Sequence, residues 1–153
     1  MLSNRLRDVY ITELYANMEA CTSLILYRQI QPCFKRANYL NIIDIPKYRN
    51  ALAKLRLNSH KLNIETGRHR QIERNLRICT LCNMNDIEDE FHFFLVCPFY
   101  THFRNIYIEK YYRNRPSMYK FIALLKSDKR NVLNKLAVYC IKAFELRKEH
   151  FNT

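Results

Sequence analysis

Apolar residues recur at helical spacing near the start of the chain. Leu6, Tyr10, Leu14, Met18, Cys21 and Ile25 follow one another at steps of three and four residues. This period predicts a long amphipathic helix over residues 4–29, which Pro32 ends. Residues 33–45 carry no clear period, and both a short strand and an extended link are compatible with them.

The same spacing returns after Pro46, which suits the first position of a helix over residues 46–57. One face of this helix would be apolar and the other basic; the two sets are Tyr48, Leu52 and Leu55, and Lys47, Arg49, Lys54 and Arg56. Residues 59–69 break the pattern, and Gly67, the single glycine, marks the end of that break.

The C-terminal third predicts three more helices. One spans 98–113 with Pro98 in its first position, and a short one runs from Pro116 through Phe121 and Leu125. The last spans 128–149. The inward residues expected of the first and last are Phe99, Phe103, Ile106 and Tyr107, and Leu133, Leu136, Ala137, Cys140, Ile141 and Phe144. The pattern predicts an all-α fold, with several amphipathic helices packed around one core in a single domain of residues 1–153.

Four residues between these helices have the spacing of a metal site. Cys79, Cys82, His92 and Cys97 read C-x2-C-x9-H-x4-C. Two cysteines in one tight turn and a spaced His/Cys pair can supply the corners of a tetrahedron, and three thiolates with one imidazole select Zn²⁺ over harder ions. With no further ligand indicated, the site would be closed and structural. The alternative is that they are ordinary buried cysteines and a core histidine.

The surrounding residues predict a zinc knuckle within residues 77–99. Residues 78–85 should form a turn or hairpin that carries the first two cysteines. Asp86 suits the N-cap of a short helix bearing His92, and the acidic side chains of Glu88, Asp89 and Glu90 suit its first turn. Cys97 would then cap the helix that begins at Pro98.

Composition narrows the class of protein. The 153 residues are 48% hydrophobic, enough for a core, but no apolar run is long enough to span a bilayer. The N-terminus is too charged for a signal peptide. Cys21, Cys33 and Cys140 stand singly among apolar residues and are interpreted as buried thiols. We therefore expect a reducing intracellular compartment, cytoplasmic or nuclear, and no membrane partner.

A strong positive charge points to polyanions. The chain has 26 Lys and Arg against 14 Asp and Glu, a formal charge of +12. Arg68, Arg70, Arg74 and Arg77 precede the first zinc ligand and are candidate nucleic-acid contacts; if this segment is helical, the last three share a face that could meet successive phosphates. Phe91, Phe93 and Phe94 could stack on unpaired bases, although core positions are favoured for them. The alternative is that the charge serves only solubility.

No catalytic constellation emerges. The acidic run of Asp86, Glu88, Asp89 and Glu90 lacks the partners of a metal-dependent nuclease, and a C-x-x-C cysteine is a poor match to a thiol nucleophile. His60, His69, His102 and His150 lie in polar sequence and are expected at the surface. A single glycine excludes a glycine-rich phosphate loop.

The runs HKLNIETGRHR and ERNLRICTLCNMNDIEDEFHFFLVCPFY resemble the zinc-binding domain that follows the polymerase in LINE-type (non-LTR) retrotransposon reverse transcriptases. The resemblance is strongest over residues 48–104. It implies that Cys79, Cys82, His92 and Cys97 bind zinc and that the domain helps to hold RNA or DNA. It carries over no polymerase or nuclease activity, because neither motif is present.

The sequence therefore predicts a non-enzymatic, zinc-stabilised module that binds RNA or DNA, preferably single-stranded and with little sequence preference. The alternative is a structural or protein-interaction domain, or a degenerate retroelement fragment, in which zinc only holds the fold.

Overall fold

The structure, a computed structural model, describes residues 2–33 and 35–152. This part of the chain is mostly helical and contains no strand, which confirms the all-α prediction. The α-helices are α1 (Leu2–Ala20), α2 (Ile25–Ile30), α3 (Tyr39–Ile42), α4 (Pro46–Arg56), α5 (Asn63–His69), α6 (Thr101–Tyr107), α7 (Lys110–Arg113), α8 (Met118–Leu125) and α9 (Arg130–Asn152). Short 3-10 turns occupy Thr22–Leu24, Arg74–Leu76 and Pro98–Tyr100, and a π-helical turn occupies His92–Val96.

The long helix α9 forms the centre of the fold and packs against α4 and α6. Its spacing is the one that the sequence predicted, and its buried side chains include Leu133, Leu136 and Ala137. Tyr139 is fully buried, and its hydroxyl donates to the backbone oxygen of Phe93 at 2.7 Å. The core therefore reaches from α9 directly into the segment that carries the candidate metal ligands.

The predicted N-terminal helix is interrupted. Cys21 adopts an extended backbone between α1 and α2, with φ −85° and ψ 106°, and its sulfur lies 3.0 Å from the Ser23 hydroxyl. The backbone oxygen of Ser23, in the turn that follows, accepts a hydrogen bond from the side-chain amide of Asn58, so a contact with the chain after α4 accompanies the break. The apolar stripe was also partly wrong, since Leu6 and Tyr10 are 69% and 62% exposed.

The predicted helix over 98–113 is likewise divided. Ile108 adopts an extended backbone between α6 and α7, which turns its side chain into the core. Arg104 is buried as well, and its guanidinium is satisfied there because it donates hydrogen bonds to the backbone oxygens of Phe94 and Cys97. Ile106, expected inside, is instead 53% exposed.

Three shorter elements also differ from expectation. The ambiguous segment 33–45 contains the helix α3, and α5 lies within the stretch that the sequence left without a helix. Helix α8 begins two residues after Pro116, where the Ser117 hydroxyl accepts a hydrogen bond from the backbone N–H of Lys120. Helix α4 spans residues 46–56, close to the predicted bounds.

Several single residues lie where the sequence did not place them. Cys140 is buried as predicted, but Cys21 is only half-buried and Cys33 is exposed. Arg56, expected on the solvated face of α4, is buried and donates to the backbone oxygen of Leu125 at 2.8 Å.

Across the described residues, none of the helices has both the length and the apolar character needed to cross a membrane.

Candidate metal centre

The π-helical turn fixes two of the four candidate ligands. His92 and Cys97 lie at its ends, and the backbone N–H of Cys97 donates to the backbone oxygen of His92 at 2.7 Å. Asp89, rather than the predicted Asp86, caps the start of this turn: its carboxylate accepts from the backbone N–H of His92 at 2.9 Å. Asp86 lies too early in the sequence to cap the π-helical turn. Its backbone oxygen instead accepts a hydrogen bond from the backbone N–H of Cys79.

A hairpin-like turn presents the other two ligands, as the spacing predicted. An isolated antiparallel bridge joins Ile78 and Ile87, and the backbone N–H of Cys79 donates to Asp86 at 2.8 Å. Asn85 adopts the left-handed backbone, with φ 55°, that such a tight reversal requires. The turn places both cysteine side chains against the π-helical turn.

The four ligand atoms converge. The three sulfurs and one imidazole nitrogen lie within 4.8 Å of one another. Cys79 Sγ is 3.9 Å from Cys97 Sγ, and Cys82 Sγ is 3.4 Å from His92 Nε2. Around a tetrahedral ion with zinc-like bond lengths, these separations would be about 3.8 Å and about 3.6 Å. The cluster can therefore hold a metal ion with little rearrangement.

The close packing of the three thiols changes their pKa values. The pKa of the Cys79 thiol is raised to about 12. The larger cause is its hydrogen bond to the Cys97 sulfur, and the second cause is burial. Burial also raises the pKa of Cys82, whereas the bond from Cys79 lowers the pKa of Cys97. Without a cation, adjacent thiolates would repel one another in a partly dry site. Metal binding would therefore displace protons and weaken as the pH falls.

The orientation of the His92 ring agrees with ligation through Nε2. That atom faces Cys82, and the opposite nitrogen, Nδ1, is buried without a hydrogen bond in the described residues. Its nearest acid is Asp86, at 3.7 Å. A carboxylate beside the second ring nitrogen is a common way to orient a ligating histidine.

Glu88 connects the cluster to the rest of the fold, a role that its position in an acidic run concealed. The carboxylate is 1% exposed and forms an ion pair with Arg147 Nη2 at 2.8 Å, across 59 residues of sequence. It also accepts from the backbone N–H of Asn63 at 2.8 Å, and its other oxygen lies 3.9 Å from the Cys79 sulfur. Burial raises the pKa of the Glu88 carboxyl, and the Arg147 guanidinium opposes that rise.

The four histidines that were expected at the surface divide into two groups. His69, His102 and His150 are exposed, as predicted. The side chain of His60 is only 2% exposed, and its Nε2 lies 2.9 Å from the buried carboxylate of Glu90. It also stacks on Phe144 of α9, so the prediction was wrong for His60.

The arginine segment before the cluster is not one helix. Helix α5 ends at His69, Gln71 has a positive φ of 57°, and only a 3-10 turn follows. Arg70, Arg74 and Arg77 therefore do not share a helical face.

The four arginines have different surroundings. Arg68 pairs with buried Glu65 at 2.6 Å, and Arg77 donates to the backbone oxygens of Ile72 and Ile64 at 2.9 and 3.0 Å. Arg74 is 65% exposed and lies 3.9 Å from Asp89. Arg70 is exposed, and its side chain forms no ion pair or hydrogen bond within the described residues. Arg70 and Arg74 are thus the two that remain available.

The close approach of Arg77 explains why position 67 is occupied by glycine. A Cβ at Gly67 would lie 2.6 Å from Cγ of Arg77. We expect Gly67→Ala to lower the free energy of unfolding by about 2 kcal/mol, because the loss of two hydrogen bonds from a charged donor outweighs the gain in helix propensity. In an Arg77→Ala background the same change should be neutral or stabilising. Urea denaturation of the four proteins measures both effects; equal losses in the two backgrounds would contradict this role of Arg77.

The phenylalanines beside the ligands belong to the core, the favoured of their two predicted roles. Phe93 and Phe94 are fully buried, and Phe93 contacts the rings of Tyr139 and Phe144. Phe91 is half-buried against Phe121. Neither Phe93 nor Phe94 is accessible for base stacking.

Comparisons of the chain with protein-family models, with curated proteins and with solved structures gave no match. The geometry of the described residues therefore carries the functional interpretation.

Proposed function

We propose that this chain is a zinc-stabilised nucleic-acid-binding module with no catalytic site of its own. The observation that carries the proposal is the convergence of Cys79, Cys82, His92 and Cys97 in a chain of charge +12. Three thiolates and one imidazole at tetrahedral spacing are a typical structural zinc site. The resemblance to the zinc-binding domain of LINE-type reverse transcriptases belongs to the same proposal.

Zinc would act here as a structural cross-link. The four ligands lie on two local turns, and buried side chains connect those turns to α9. Held by the ion, they fix residues 77–97 against the helical core. No open coordination position is needed for this role, and the proposal assigns no reaction to the metal.

The nucleic-acid part of the proposal is supported by charge. Polyanion binding needs accessible cations. The chain has twelve more basic residues than acidic residues. Arg70 and Arg74 remain accessible, although Arg68 and Arg77 have intramolecular partners.

A salt titration tests this function. We expect a fluorescent single-stranded RNA or DNA of about twelve nucleotides to bind weakly, with log affinity falling linearly with log salt at about −0.7 per phosphate contact. Arg70→Ala/Arg74→Ala should flatten the slope by about 0.7 for each of the two arginines that contacts a phosphate, without changing zinc content. Fluorescence anisotropy at several salt concentrations measures the slope.

The matched control is Lys126→Ala/Lys129→Ala, which removes two exposed cations between α8 and α9. Its slope should equal that of the unmodified protein. If the unmodified protein binds neither oligonucleotide at low salt, the competing function, a structural or protein-interaction domain, replaces this one. The engagement of Arg68 and Arg77 within the fold favours that alternative.

A further inference from the structure

A large groove lies between α4, α5, the 3-10 turn at Arg74–Leu76 and the C-terminal end of α9. Its volume is about 1070 Å³, which exceeds the roughly 300–1,000 Å³ of small-molecule pockets. None of the described residues that line it is an Asp or Glu. Five exposed cations line it: Lys47, Lys54, Lys61, Arg70 and Lys148.

The arrangement of these cations suits a chain of phosphates. Lys47 and Lys54 are two turns apart on α4, so their Cα atoms are separated by about 10 Å along the helix axis. Lys148 approaches from α9 and Arg70 from the end of α5. A single phosphate could use only part of such a spread, whereas a polyanionic strand would meet cations on several sides.

Aromatic and apolar surface interrupts the positive charge. Phe151, in the last turn of α9, is 54% exposed, and Leu76 across the groove is 63% exposed. The Arg147 guanidinium lies 4.6 Å from the Phe151 ring centroid, so one ring face already stacks on a cation. A positive groove with an exposed aromatic ring is the usual surface for single-stranded nucleic acid.

Arg147 adds a buried donor to the groove. The residue is 6% exposed, and its Nη2 is held by Glu88 and by the backbone oxygen of Lys61. Its Nη1 has no hydrogen-bond partner among the described residues. Because that nitrogen is itself buried, Arg147 adds positive charge beneath the groove, and the direct phosphate contacts fall to the exposed lysines.

We propose that this groove binds a single-stranded segment of RNA or DNA, with phosphates on Lys47, Lys54 and Lys148 and a base stacked on Phe151. The inference rests on the proposed function and places it mainly on α4 and α9. Of the two accessible arginines before the candidate metal ligands, Arg70 lines this groove and Arg74 does not.

Paired variants test the location. Lys54→Ala/Lys148→Ala removes two groove cations, and Lys126→Ala/Lys129→Ala removes two exposed cations at the other end of α9. With a labelled oligonucleotide of about twelve nucleotides, the groove pair should flatten the salt slope by about 1.4 and the control pair should leave it unchanged. Thermal melting confirms that each variant is folded.

Phe151→Ala tests the stacking separately. It should weaken oligonucleotide binding about 5- to 150-fold without changing the salt slope, because no charge is removed. A 5-bromouracil oligonucleotide should cross-link to Phe151 on irradiation. Poly-glutamate that competes as well as the oligonucleotide would overturn the base-stacking part of the proposal.

The outcomes separate the two proposals. If the unmodified protein fails to bind at low salt, the proposed function fails and the groove assignment with it. If it binds, but the groove and control pairs change the slope equally, the groove assignment is overturned while the function stands.

Discussion

Cys97→Ser should release the metal and loosen residues 77–97. Zinc binding to small structural sites is worth about 10–16 kcal/mol at neutral pH, more than the loss of any one core contact. The turn with Cys79 and Cys82 is held mainly by local backbone hydrogen bonds, whereas Phe93 and Phe94 pack into one core with residues of α4, α8 and α9 that does not need the metal. Most of the helical circular dichroism signal should therefore survive. Hydrogen exchange should show lost protection confined mainly to the segment with the ligands.

Cys140→Ser is the matched control, because Cys140 is also a buried cysteine but lies on α9 outside the cluster. It should keep the metal and the protection of residues 77–97. Metal analysis of the two purified variants gives the first result. If Cys97→Ser keeps its metal, Cys97 is not a ligand and the four-residue site is wrong.

Glu88→Ala should lower the free energy of unfolding by about 3–5 kcal/mol. The change leaves the Arg147 guanidinium buried without its carboxylate, and an uncompensated buried charge has that cost. It also removes the acceptor for the backbone N–H of Asn63, which holds the start of α5. Urea denaturation, with metal content measured on the same samples, separates this effect from metal loss.

Glu145→Ala, an exposed position on α9, is the control and should change stability by less than about 0.5 kcal/mol. Replacing both partners, as in Glu88→Leu/Arg147→Leu, should recover much of the loss, since neither charge then remains buried. A loss below about 1 kcal/mol for Glu88→Ala would show that the ion pair does not support the fold.

The sequence predicted those features of the fold that depend on residues close together in the chain. The helical period of α9, the proline at the start of α4 and the spacing of the four ligands each indicated a feature that the structure contains. The core positions of Phe93 and Phe94 followed from the cost of exposing an aromatic cluster.

The remaining features depend on distant contacts that no local pattern records. From the sequence, Glu88 was expected to be a solvated acid at a helix start, but in the fold Arg147 of α9 lies beside it. His60 was expected at the surface, but Glu90 and Phe144 enclose it. The breaks at Cys21 and Ile108 were not predicted, because a helical period continues through both and neither has a proline or glycine to mark it.

The most direct test of the metal centre is the zinc content of freshly purified, reduced protein. Inductively coupled plasma mass spectrometry should find one zinc ion per chain. Alkylation of the same sample should modify exposed Cys33 and spare Cys79, Cys82 and Cys97 until a chelator is added. Zinc well below one ion per chain, with the three cysteines alkylated as readily as Cys33, would contradict the zinc site.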